Sequence, residues 1–130
     1  MTDPVHIPAG SPDLQSWDDP RHGRVKYRLL VDAGYGPSRG ITQGTVEFAP
    51  GDRENLHRHP DHSETVHVLD GHGEAELPGR TLPLGPGDTV FVPAGTLHAW
   101  SAPEAEMRLL FTFPADRLDD VTYDFAEEGR

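Results

Sequence analysis

Glycine and proline punctuate this chain from one end to the other. The 14 glycines and 13 prolines among its 130 residues stand between short apolar runs instead of gathering in one tail. Inside a helix a proline removes a hydrogen bond and clashes with the preceding turn, and a glycine costs about 1 kcal/mol, so long helices are excluded. What remains is a series of short strands joined by turns, an all-β domain. Segments 24–31 (RVKYRLLV), 41–49 (ITQGTVEFA), 64–69 (ETVHVL), 73–77 (GEAEL), 80–84 (RTLPL), 88–92 (DTVFV), 97–101 (LHAWS) and 106–113 (EMRLLFTF) alternate in part and are bounded by turn residues. Eight such strands in one domain point to a barrel or jelly roll.

The ends differ from this pattern. Residues 1–23 carry prolines at 4, 8, 12 and 20 with little periodicity, which predicts an irregular N-terminal arm with Trp17 tucked against the body. Residues 24–130 form the barrel domain, and its exit after Pro114 packs as a strap with Val121, Tyr123 and Phe125 alternating inward. A formal charge of -11 argues against nucleic acid or an anionic membrane as partner, which leaves a small molecule or a protein. The chain has no cysteine, so a metal would be held by nitrogen and oxygen donors alone. No apolar run approaches the roughly 18 to 20 residues of a membrane span, and the start lacks the pattern of a signal peptide. A cytoplasmic protein is expected.

Four of the eight histidines fall between His57 and His67, with Glu64 among them. His57 and His59 are two apart, so on a strand both imidazoles face one side. Glu64 lies past a bend at Pro60 and Asp61 and can return its carboxylate to the same interior from the neighbouring strand. His98 follows the turn at 93–95 and supplies a third imidazole from another strand. Three neutral imidazoles and one carboxylate suit one divalent Fe, Mn, Ni, Zn or Cu per chain and leave one or two positions open.

These residues carry a resemblance. Gly51, His57, His59, Glu64 and Gly71 are spaced as in the first cupin motif, and Gly87, Pro93, Gly95 and His98 as in the second; Ala102 stands where the second motif usually has Asn. The chain therefore resembles a single-domain cupin, which implies a jelly-roll β-barrel holding a metal on His57, His59, Glu64 and His98. Over residues 24–125 it is similar to the small cupins that include dimethylsulfoniopropionate lyases. Those enzymes use a tyrosine two residues past the glutamate as base, and this chain has Val66 there. The resemblance leaves Tyr123, Tyr27 and His62 as candidate bases.

By strand parity Val66 and Val68 share the face of Glu64 and wall the substrate pocket, Trp100 points inward two residues after His98, and His67 faces away. Gln43 and Arg108 are further pocket candidates, Arg108 because a buried carboxylate substrate needs a charge partner. His72, in a turn, is expected to be exposed. Three functions compete: a lyase or isomerase acting on a small carboxylate with the metal as Lewis acid, an Fe(II) or Cu dioxygenase, and a module that binds a small ligand or metal without turnover. A homodimer is expected, with Val25, Tyr27, Leu29 and Val31 as the shared face.

Overall fold

A computed structural model describes residues 3–126 of the chain. Eleven strands account for its regular structure: β1 (Gln15–Asp19), β2 (Gly23–Val31), β3 (Thr42–Phe48), β4 (Arg53–Arg58), β5 (Glu64–Gly71), β6 (Gly73–Leu77), β7 (Arg80–Leu84), β8 (Thr89–Val92), β9 (His98–Ser101), β10 (Met107–Phe113) and β11 (Asp124–Phe125). One short 3-10 turn spans Leu118–Asp120. The strands pair antiparallel in the order β7-β6-β9-β4-β2-β3-β10-β5-β8, with β1 on β2 and β11 on β4. This curled sheet is the expected jelly-roll barrel. None of the described helical structure is long and apolar enough to cross a membrane.

The eight expected strands all form. Three more do not follow from apolar alternation. β1 lies inside the segment expected to be irregular, held by five-residue register with β2 that sets Trp17 opposite Val25. β11 is two residues long and pairs Phe125 with His57. β4 is the third, and it carries much of the site.

The inward faces of β2, β3, β5 and β10 fill the barrel. Val25, Phe48, Val66, Val68, Leu109 and Phe113 are buried there, each contributing roughly 1.5–3 kcal/mol relative to an exposed position. Val25 and Leu29 belong to this core, and Tyr27 packs against it. Of the face expected to meet a second copy, Val25 and Leu29 are thus buried within the chain, and Val31 is half-buried outside this core. Val121 and Phe125 are buried as the strap was expected to place them, and Tyr123 is half-buried beside them.

Two motif glycines are required by geometry. Gly71, where β5 hands over to β6, has φ +80, and a Cβ there would run into the carbonyl oxygen of Glu106. Gly95 has φ +83 and donates its N–H to the carbonyl of His59 at 2.8 Å, tying the turn before His98 to the chain beside the first histidine pair.

Candidate metal centre

β4 and β9 are bonded neighbours, and their register sets His57 opposite His98. His59 follows the end of β4, and Glu64 opens β5. β5 is not the neighbour of β4: β2, β3 and β10 lie between them in the sheet. Glu64 reaches the histidines across the interior because the sheet curls, a correction to the expectation that an adjacent strand delivers it.

The three imidazoles are oriented by the backbone. Nδ1 of His57 lies 2.6 Å from the carbonyl oxygen of Asn55, that of His59 3.1 Å from Thr122, and that of His98 2.8 Å from Thr96. A carbonyl only accepts, so each Nδ1 carries a hydrogen, and in the neutral form of each ring Nε2 is the atom left with a lone pair. The three rings offer donor atoms within 4.8 Å of one another. Oε1 of Glu64 lies 3.4 Å from Nε2 of His59 and 3.3 Å from Nε2 of His98.

Among the described residues, Nε2 of His59, Nε2 of His98 and Oε1 of Glu64 are buried without a hydrogen-bond partner. Buried polar atoms are almost always paired, so a converging orphaned set asks for a ligand between its members. The electrostatics agree with a cation. Burial, followed by the neighbouring His98, holds His57 down at about 3, so it is neutral and free to donate its lone pair. Burial acts to raise Glu64, while protons on Nε2 of His59 and His98 would lower it to about 2; a divalent cation would supply the same positive charge in place of those protons. Three neutral imidazoles and a carboxylate could hold a divalent transition metal, and the donors present fit one.

A second carboxylate meets this cluster, and sequence reasoning missed it. Glu54 is 7% exposed, and its Oε2 lies 3.6 Å from Nε2 of His57. Positions 54 and 57 would face opposite sides of a regular strand. The β4–β9 register shifts between them, and this irregularity turns both side chains inward. Burial first, then the charge of Glu64, push the Glu54 carboxyl up to about 8. No hydrophobic alternation marks it; the signal available was a carboxylate three residues before a ligand histidine.

Glu54 and Glu64 open onto a cavity of about 20 Å³ walled by Trp17, Tyr27, Val46, Phe111 and Tyr123. That space holds about one water. The Tyr123 ring stacks on His57 with centroids 5.4 Å apart and meets His59 edge-on at 4.4 Å. Burial, then the charges of Glu54 and Glu64, raise Tyr123 well above the usual phenol range, which keeps it protonated. Tyr27 is also raised, mainly by burial, and its hydroxyl donates to Oε1 of Gln15 at 3.3 Å.

The remaining expected residues are distributed elsewhere. Val66, Val68 and Trp100 face inward as parity requires, but they are sealed in the core and do not line this cavity. Arg108 and Gln43 were expected at the pocket and are not there. Arg108 projects outward and pairs with Asp70 at 3.1 Å, and Gln43 donates to Thr112 at 3.2 Å, because both occupy the outward positions of their alternating strands. His62 stands outside the histidine cluster and away from the cavity lining, with its Nδ1 buried and without a partner among the described residues. His67 faces away from Glu64 and contacts Thr89 at 2.8 Å, and His72 is exposed.

Fold and site define a small β-barrel with a histidine-lined interior. The cupin domain family profile matches residues 44–113, more than half of the chain, and the chain belongs to the cupin family. It is similar over 122 residues, at 26% identity, to the dimethylsulfoniopropionate lyase DddW of Ruegeria pomeroyi, a match covering 94% of this chain and 80% of that protein. Among solved structures it resembles the polyketide cyclase RemF from Streptomyces resistomycificus, with TM-score 0.78, 25% identity and coverage of 100% of this chain and 89% of that one. It also resembles KdgF from Halomonas sp., with TM-score 0.72, 24% identity and coverage of 89% and 98%. Its relatives thus include a lyase and a cyclase.

Proposed function

We propose that this cupin is a metal-dependent enzyme acting on a small carboxylate or similar oxygenated molecule, and that its reaction is a lyase or isomerase step with the metal as Lewis acid. The observation that carries the reading is the convergence of three backbone-oriented Nε2 lone pairs and the Glu64 carboxylate beside an aromatic-walled cavity. His57, His59, His98 and Glu64 would hold the divalent ion, which when bound supplies a Lewis acid for the charge that develops on a substrate oxygen. The likeness to a lyase and a cyclase supports non-oxidative chemistry over a dioxygenase.

Within the chain, Tyr123 is the residue we assign to proton handling. Of the three residues considered as bases, Tyr123 and Tyr27 line the cavity and His62 does not. Tyr123 lies against two of the imidazoles, and its protonated phenol is suited to donate to a substrate oxygen. Trp17, Tyr27 and Phe111 wall the cavity with apolar surface, and a space of about 20 Å³ would have to widen to take a substrate's carbon skeleton.

The test is a screen of small carboxylates, dimethylsulfoniopropionate included, against protein reconstituted in turn with Fe, Mn, Ni, Zn and Cu, with and without dioxygen. Turnover that persists without dioxygen is expected. A strict dioxygen requirement would establish the dioxygenase instead, and tight ligand retention without product would establish a binding module.

A further inference from the structure

We propose that Glu54 is a fifth ligand of the metal centre, completing with His57, His59, His98 and Glu64 a donor set that leaves one position for an incoming molecule. The inference rests on the metal-centre reading above and extends it to a residue outside the histidine-glutamate spacing that marks the site in the sequence.

The geometry of the Glu54–His57 contact carries it. Nδ1 of His57 donates its hydrogen to Asn55 at 2.6 Å, so Nε2 presents a bare lone pair. Oε2 of Glu54 nevertheless sits 3.6 Å from that atom. A positive centre between them, a metal ion or a proton carried by Glu54, keeps the two atoms from repelling. The separation is close to the 3.3 and 3.4 Å of Glu64 from His98 and His59. Donors bound to one cation at roughly 2.0–2.2 Å stand roughly 3–3.5 Å apart, so the two Glu64 contacts are those of adjacent vertices around one ion, and the Glu54 contact lies just beyond that range.

Burial points the same way. Glu54 is 7% exposed, and its one ion-pair contact among the described residues is His57, with no guanidinium or ammonium to neutralise it. A carboxyl in such a place is either protonated or paired with a cation. The irregularity between Glu54 and His57 aims both side chains inward at the cost of ladder regularity, as bulges beside functional sites do. Glu54 and Glu64 both line the same cavity. Five protein donors suit ions that accept five or six ligands, such as Mn(II), Fe(II) or Ni(II), better than tetrahedral Zn(II).

The experiment loads the full chain with Mn(II). The number of metal-bound waters is counted from electron paramagnetic resonance in ¹⁷O-enriched water, and affinity is followed through the signal of free Mn(II). One bound water is expected for the wild type and two for Glu54→Ala. Glu54→Gln should weaken Mn(II) binding about tenfold or more, while Glu104→Gln, a loss of charge at an exposed position, should leave it unchanged. If Glu54→Ala does not fold, the contrast between Glu54→Gln and Glu104→Gln decides. An unchanged water count in Glu54→Ala, with or without weaker binding, overturns the assignment while leaving the four-ligand centre standing. Failure of the wild type to bind Mn, Fe, Ni, Zn or Cu overturns both.

Discussion

His57 and His98 stand opposite each other across the β4–β9 ladder, with ring centroids 4.3 Å apart. A backbone register thus sets the distance between two donors, and each ring's remaining freedom is removed by a carbonyl two residues upstream, Asn55 for His57 and Thr96 for His98. Preorganisation of this kind makes each ligand difficult to replace. His98→Ala should lower metal affinity at least about 100-fold, beyond the 10- to 100-fold typical of losing a ligand's supporting partner. Elemental analysis after dialysis, with circular dichroism as the control for folding, measures it. Full metal content in the variant would remove His98 from the ligand set.

Tyr123→Phe separates chemistry from metal binding. The ring stacks on His57 and lines the cavity, and phenylalanine keeps that packing while deleting the hydroxyl. Metal content should stay at the wild-type level, while turnover of the substrate found by screening falls about 100- to 10,000-fold, the usual range for a lost acid–base group. Wild-type turnover in the variant would move proton handling to Tyr27 or another group.

How far the sequence discloses this molecule depends on which face of a strand carries the signal. β5 and β10 announce themselves because their inward positions, Val66 and Val68 in one and Leu109, Phe111 and Phe113 in the other, are apolar and alternate with exposed or half-buried residues. β4 has the same role and stays hidden because its buried positions are Glu54 and His57. The four histidine and glutamate positions are legible through spacing, since turn and strand lengths fix them. Glu54 is not, because a parity count from His57 puts it on the wrong face and the register shift that corrects the count leaves no mark in the sequence. Parity also cannot say which inward residues meet an opening, so Val66, Val68 and Trp100 face inward into packed core instead of the cavity.

Gly71→Ala tests the junction that follows the first motif. The position has φ +80, and an added Cβ would collide with the Glu106 carbonyl, which is backbone and cannot swing away. Strain of this kind costs about 1–3 kcal/mol. The melting temperature should fall by roughly 4 °C per kcal/mol lost at the midpoint for a domain of this size. A variant as stable as the wild type would mean that the β5–β6 corner relaxes freely.

The metal-free protein should be most stable in mildly acidic solution and lose stability on both sides. On the alkaline side the cause is Glu54, raised from 4.5 to about 8. Between those values the folded chain keeps a proton that the unfolded chain releases, so stability falls as pH rises through the window. On the acid side His57 is lowered from 6.5 to about 3 and Glu64 from 4.5 to about 2. There the unfolded chain takes up protons that the folded chain refuses, so stability falls as pH drops. Between pH 4.5 and 6.5 the Glu54 and His57 contributions oppose each other, which leaves a plateau. Thermal melts of chelator-treated protein in steps from pH 4 to 9 resolve the two limbs. Glu54→Gln should flatten the fall from pH 6.5 to 8 and, with the opposing contribution gone, turn the plateau between pH 4.5 and 6.5 into a fall toward acid. If the variant and the wild type decline together above pH 6.5, Glu54 is already ionised in the folded metal-free chain and the alkaline limb belongs to the repulsion of its -11 net charge.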